Sequence, residues 1–191
     1  AATLAQEAEP ELRRWVALAL GVMGETRSVS PLASALKDWD TGVRKEAAVA
    51  LGRIGTAHVV SALVAALGEA DNEVREKAIM ALGKTGKPAI RGLIPGLRDD
   101  NALVRRASSD ALTMIGVPAV SPLARSLLEE NNRLARIGAV ETLGRIRSER
   151  AGAPLMMALM EPDPGMEDAA AQALVRTGQP GVPLETASMT M

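Results

Sequence analysis

Apolar residues recur along this chain at a helical spacing. Across residues 40–55 they stand at Val43, Ala47, Leu51 and Ile54, an i, i+4, i+8, i+11 stripe on one side of an α-helix. Asp40 precedes the stripe, a short polar residue whose side chain can accept from the open amides of a first turn. Gly55 follows it, where a left-handed residue would close the helix. A second, shorter stripe comes next, at Val60, Leu63 and Leu67. The stretch predicts two short antiparallel helices joined by a tight turn.

The whole pattern repeats. Ala50-Leu51-Gly52-Arg53-Ile54-Gly55 has counterparts beginning at Ala19, Ala81, Ala111, Thr142 and Ala173. The leucines fall at 20, 51, 82, 112, 143 and 174, in steps of 31, 31, 30, 31 and 31. Eight residues before each leucine lies a marker pair: Leu12-Arg13, Val43-Arg44, Val74-Arg75, Val104-Arg105, Ala135-Arg136 and Met166-Glu167. The cap position holds Asp40, Asp71, Asn101, Asn132 and Asp163, while the first copy has Glu9 followed by Pro10, a residue suited to the first turn. Second stripes recur at Val29, Leu32 and Leu36, at Ile90, Leu93 and Leu97, and at Val120, Leu123 and Leu127. The prediction is one domain over residues 1–191 with six repeats, at about 9–39, 40–70, 71–100, 101–131, 132–162 and 163–191. Residues 1–8 read as the remnant of a preceding helix.

A pair of helices this short is marginal alone, because nucleation is costly and one pair buries little. Stacking on the next pair supplies the missing burial. Gly21, Gly52, Gly83 and Gly144 fall inside the predicted first helices, where each costs about 1 kcal/mol against Ala. With Ala47, Ala48, Ala78, Ala107 and Ala139 they predict helices in close approach. The fifth repeat replaces its closing glycine with Arg147, and the sixth has Met166-Glu167 at the marker. Both ends stop within a repeat, so the chain reads as a segment of a longer array, or one whose ends meet a partner.

Composition narrows the chemistry. The 22 basic and 23 acidic residues leave a net charge of −1, without the basic surplus that nucleic acid or an anionic membrane demands. The repeated Arg at 13, 44, 75, 105 and 136 therefore reads as a structural ladder to the Asp and Asn of adjacent turns rather than a phosphate reader. There is no Cys, Phe or Tyr, and one His. His58 has no second His or Cys to complete a metal site and reads as a solvated turn residue. No nucleophile triad or phosphate-binding glycine loop can be assembled. The expectation is no catalytic residue, no metal and no cofactor. The longest apolar run, Trp15–Met23, is nine residues, far below the roughly 20 of a membrane span. The N-terminal residues lack a basic leader, and a cytoplasmic location is expected.

The pattern Asp-x-x-Val-Arg-x-x-Ala-Ala-x-Ala-Leu-Gly-x-Ile-Gly, complete at Asp40–Gly55, resembles the HEAT-like repeats named after phycobilisome lyases. The resemblance implies an all-α fold, an α-α superhelix or solenoid. It also implies that the Val-Arg helix lines the inner, concave surface, with variable positions two, three and six residues after the Val. Those are Arg14, Trp15 and Leu18; Lys45, Glu46 and Val49; Glu76, Lys77 and Met80; Arg106, Ala107 and Asp110; Ile137, Gly138 and Glu141; Asp168, Ala169 and Gln172. Mixed charge with apolar spots suits a protein or peptide partner.

Trp15 is the leading anchor, since Trp dominates interface hot spots, although it could equally cover the open N-terminal edge. Trp39 is expected to cover its own turn. Met156, Met157, Met160, Met166, Met189 and Met191 crowd the last 36 residues, and some could face an open end available for self-association. The function expected is a non-catalytic interaction scaffold. The alternative is a bilin lyase-type subunit acting on a chromophore-protein, which would have to bind a tetrapyrrole. A DNA-repair glycosylase of related repeats would need a basic aromatic cleft.

Overall fold

The computed structural model describes residues 9–178, and residues 1–8 and 179–191, with the expected helix remnant, Met189 and Met191, lie outside them. Eleven α-helices and no strand occur among the described residues. The chain divides into two compact units between Ile115 and Gly116, a boundary inside the fourth repeat.

The N-terminal unit holds α1 (Pro10–Met23), α2 (Val29–Ala35), α3 (Thr41–Ile54), α4 (Val60–Ala65), α5 (Asn72–Thr85), α6 (Lys87–Leu93) and α7 (Ala102–Ile115). The C-terminal unit holds α8 (Val120–Glu129), α9 (Arg133–Ile146), α10 (Gly152–Leu159) and α11 (Pro164–Thr177). Each first helix of a repeat, α1, α3, α5, α7, α9 and α11, spans 14 residues. Most second helices are shorter and enter through a 3₁₀ turn such as Ala57–Val59 or Glu149–Ala151.

The caps form as the sequence expects. Asp40 Oδ1 accepts from the Val43 N–H at 2.9 Å, Asp71 from Val74 at 3.0 Å, and Asn132 from Ala135 at 3.0 Å. Asn101 accepts from Leu103 and Asp163 from Gly165, both at 2.9 Å. At the other end Gly24, Gly55 and Gly178 take left-handed geometry. Arg147 takes it too, with φ 54°, as the one non-glycine residue at positive φ among those described. Losing the glycine did not change the turn; it left an L side chain in a conformation that disfavours it.

The leucine ladder forms the core. Leu51, Leu82 and Leu112 of the first helices and Leu32, Leu63 and Leu93 of the second are all fully buried in the N-terminal unit. Leu123, Leu143 and Leu155 do the same in the C-terminal unit. Each such side chain contributes about 1.5–3 kcal/mol relative to exposure.

The mid-helix glycines set the spacing of first helices. A Cβ on Gly21 would lie 2.6 Å from Ala50 Cβ and 2.7 Å from its Cα, and one on Gly52 would lie 2.8 Å from Ala81 Cβ. In the C-terminal unit a Cβ on Gly144 would meet Ala173 Cα at 2.7 Å. At these three glycines backbone therefore packs closely on the next first helix.

The arginine ladder is structural. Arg44, Arg75 and Arg105 each donate through Nη1 to a carbonyl six residues earlier, at Asp38, Glu69 and Asp99. These contacts satisfy open carbonyls in the turn before the helix, with positive charge at the end of the preceding pair. Arg136 donates from Nε to the Leu127 carbonyl at 2.9 Å. A second partner runs forward by 25 residues: Arg13 holds Asp38, Arg44 reaches Glu69 at 3.6 Å, and Arg136 pairs with Glu161.

Candidate functional site

An α-helix advances 100° per residue, so positions three, six and ten after the marker share one outward face. In α1 these are Trp15, Leu18 and Val22; in α3, Glu46, Val49 and Arg53; in α5, Lys77, Met80 and Lys84. In α7 the face carries Asp110 and Met114. Trp15 is 63% exposed, Val22 73% and Met80 43%, while Leu18 and Val49 are half-buried between them. The middle lane of the N-terminal unit is thus Leu18, Val49 and Met80 on three successive helices. Charged groups flank it: Arg53 lies 3.7 Å from Glu46, and Lys77 and Lys84 stand to either side of Met80. In the C-terminal unit, α9 offers Gly138, Glu141 and Arg145, and α11 offers Ala169, Gln172 and Arg176.

Against the sequence expectation, Arg14, Trp15, Glu76, Met80, Arg106 and Glu141 are exposed. Leu18, Lys45, Glu46, Val49, Lys77, Asp110 and Ile137 are half-buried. Ala107 is not on the surface; it is 2% exposed. The positions two residues after the marker sit at the margin of the face, and in α1 and α3 they lean toward the following helix. Arg14 lies over the first turn of α3, where a Cβ on Gly42 would come within 3.0 Å of its Cδ and Nε. Lys45 pairs with Glu73 on α5, and Glu76 accepts from Asn72 Nδ2 at 2.9 Å. The tenth positions, Val22, Arg53, Lys84 and Met114, were overlooked. Helical spacing alone could have found them, because 3, 6 and 10 make one stripe and 2 does not.

Trp39 does not cover its own turn. It is 72% exposed and stacks on the Arg13 guanidinium, 4.8 Å from its ring centre. Of the methionines, Met166 is core at 1% exposure, whereas Met157 on α10 and Met160 just past its end are exposed. His58 lies exposed in the turn Ala57–Val59, on the rim of an open depression of about 500 Å³ between α4 and α6 that Ser61, Val64 and Arg91 also line. Among the described residues no three His, Cys, Asp or Glu side chains gather closely enough to share a metal ion. No single described helix is long and apolar enough to cross a membrane.

A family model for HEAT repeats matches residues 1–83 and 90–175. The chain belongs to the HEAT repeat family. Several solved structures are similar to the chain. It is similar to the complex of CpcE and CpcF of phycocyanin lyase from Nostoc sp. PCC7120, with 24% identity over 93% of this chain and 77% of that one, at a TM-score of 0.48. Human deoxyhypusine hydroxylase in complex with glycerol is 22% identical over 90% of this chain and 81% of that one, at 0.47. The archaeal HEAT-like repeats protein from Thermococcus onnurineus NA1 is 16% identical over 95% and 82%, at 0.45. No curated protein sequence matches the chain.

Proposed function

We propose that this HEAT repeat chain is a non-catalytic scaffold that holds a protein or peptide along the outward face of its first helices in the N-terminal unit. The supporting observation is the lane Leu18–Val49–Met80, three apolar side chains at the same position on successive helices, with Trp15 exposed beside it. Neighbouring packed helices lie about 8–10 Å apart, so the lane repeats at that interval. A peptide in the polyproline II conformation advances about 3.1 Å per residue with three residues per turn, so apolar side chains at every third residue share one face and match it. Arg53, Lys77 and Lys84 flank the lane and favour carboxylates on the same ligand. Glu46 and Asp110 on the same face oppose a polyanion.

Selection of a random peptide library on the folded chain tests this. Binders should be rich in apolar residues at intervals of three and should lose at least about tenfold in affinity, some 1.4 kcal/mol, to the V49E/M80E variant. The variant should stay folded, since Met80 is exposed and Val49 is only half-buried. Binders indifferent to V49E/M80E and to Trp15→Ala would sink the reading.

A further inference from the structure

The two ends of the helix pairs differ in charge within the N-terminal unit. Where one repeat passes to the next, the turns carry Asp38 and Asp40, Glu69 and Asp71, and Asp99 and Asp100. At the opposite end, where a first helix turns into its second, residues 50–64 and 81–95 hold Arg53, His58, Lys84, Lys87 and Arg91 and no Asp or Glu. Arg53 and Lys84 stand in the last turns of α3 and α5, where the helix dipole favours a base. Lys87 begins α6, an end where the dipole disfavours one. Among the described residues no carboxylate pairs with Lys84, Lys87 or Arg91.

The third repeat also departs from the others in its second helix. Before the core leucine the second helices carry Ser30-Pro31, Ser61-Ala62, Ser121-Pro122 and Ala153-Pro154, whereas α6 carries Arg91-Gly92. A Cβ on Gly92 would lie 2.7 Å from Val60 Cγ1 and 3.5 Å from Val64 Cγ2, so the glycine lets α6 close on α4. Gly92 also lines the hollow of about 500 Å³ between these helices, where a side chain would take up the floor. Val60, Val64 and Pro88 make the hollow apolar, and His58, Ser61 and Arg91 give it polar groups. Arg91 and Gly92, the two residues that break the repeat, thus shape and charge one place on the surface.

We propose that this hollow docks an acidic segment of a partner protein. An apolar side chain of the segment rests on Val60, Val64 and Pro88, and a neighbouring carboxylate lies on the Arg91 guanidinium. That fork takes a carboxylate through two parallel N–H···O bonds, and His58 and Ser61 can each donate another. Lys84 and Lys87, at the same end of the pairs, attract further acids on the segment. The site lies on second helices, apart from the lane Leu18–Val49–Met80, so it stands whether or not that lane binds a peptide. Nucleic acid fits it poorly, because the net charge of −1 supplies no extended basic surface for a phosphate backbone.

The chain's single histidine makes the test direct, since its imidazole Cε1–H gives one proton NMR signal from the rim of the hollow. The intact chain is titrated at fixed pH with the peptide Leu-Glu-Leu-Glu-Leu, blocked at both ends. The His58 signal should move saturably, and the affinity should fall as salt rises from about 50 to 500 mM, as screening requires. The Gln counterpart of the peptide should leave the signal in place, and so should the Glu peptide with the Arg91→Glu variant. Arg91 is exposed, so that variant should melt like the parent. The V49E/M80E variant should bind the peptide here as the parent does, which separates this site from the face of the first helices. An unmoved His58 signal, an equal response to the Gln peptide, or a response that survives Arg91→Glu would overturn the proposal. So would an equal response to a short DNA duplex, since the site would then take any polyanion.

Discussion

The Arg13 guanidinium holds the Asp38 carboxylate through Nε and Nη2, both at 2.8 Å, across 25 residues of sequence. The pair is largely buried, with side-chain exposures of 6% and 10%, and Trp39 stacks on the guanidinium. It joins α1 to the turn that precedes α3, so the two charges tie the two ends of the first repeat together. Removing either partner leaves the other buried without its counter-charge, which is the costly way to break such a pair.

Stability should fall in acid for this reason. Burial pushes the Asp38 carboxyl up, but the hydrogen bond from Arg13, the Asp40 N–H and the charges of Arg13 and Arg44 outweigh it, so the net shift is downward. Asp163 is held well below the usual range, chiefly by its hydrogen bonds from Arg133, against the opposing effect of burial and with help from the Met166 and Gly165 amides. A lowered carboxyl stabilises the fold fully above its unfolded value of about 3.9 and loses that contribution as pH falls toward the folded value. Between about pH 4 and pH 2 the denaturation midpoint of the native chain should drop more steeply than that of D38N/D163N. Parallel curves would count against both pairs.

The helix spacing makes a second prediction with an internal control. Gly21→Ala and Gly144→Ala gain about 1 kcal/mol of helix propensity, yet drive a Cβ against backbone one helix away. Overpacking of that kind costs about 1–3 kcal/mol, so both variants should be net destabilised in chemical denaturation. Gly83→Ala should be the mildest of the three, because Met114 Cε and Sδ can swing aside and Met114 Cβ, at 3.0 Å, need give only a few tenths of an ångström. Equal effects at all three positions would show that spacing is not set by these glycines.

Much of this was legible in the sequence, since the Asx caps, closing glycines and leucine ladder are local devices that recur at one interval. The forward partner of the arginine ladder was legible only coarsely, as an Asp or Asn of an adjacent turn. Yet acids stand 25 residues after each arginine, at Asp38, Glu69, Asp100, Glu130 and Glu161. A pair between the two ends of one repeat has no local periodicity to betray it, and only register counting across copies reveals it. The outward face was half legible: Trp15, Leu18, Val49 and Met80 were placed, but Arg14 and Lys45 lean onto the next helix, and the tenth positions were passed over. The exposure of Leu12 was hidden because its role as a marker made it look like the buried Val43.

Arg147 offers a stabilising substitution. It holds φ 54° and ψ 39° at the end of α9, a conformation that costs an L residue roughly 1–2 kcal/mol and glycine little. Arg147→Gly restores the residue found at Gly24 and Gly55 and should raise stability by about 1 kcal/mol, less any entropy gained by the unfolded chain. A lower midpoint in chemical denaturation would mean that the Arg147 side chain contributes more than its backbone costs.

Ser108 and Gly96 give the most discriminating test of packing. Ser108 is fully buried on α7 and its Oγ has no hydrogen-bond partner, while α3, α5 and α9 have Ala47, Ala78 and Ala139 at the same position. A buried hydroxyl without a partner costs about 1–3 kcal/mol, so Ser108→Ala should stabilise the chain. Gly96, in the turn that follows α6, lies directly beneath this hydroxyl, and a Cβ there would overlap Ser108 Oγ. Gly96→Ala should therefore be destabilising in the native background and markedly less so beside Ser108→Ala, a coupling of about 1 kcal/mol or more in a double-mutant cycle. Additive effects would place the cost of Gly96→Ala in its backbone rather than in this contact.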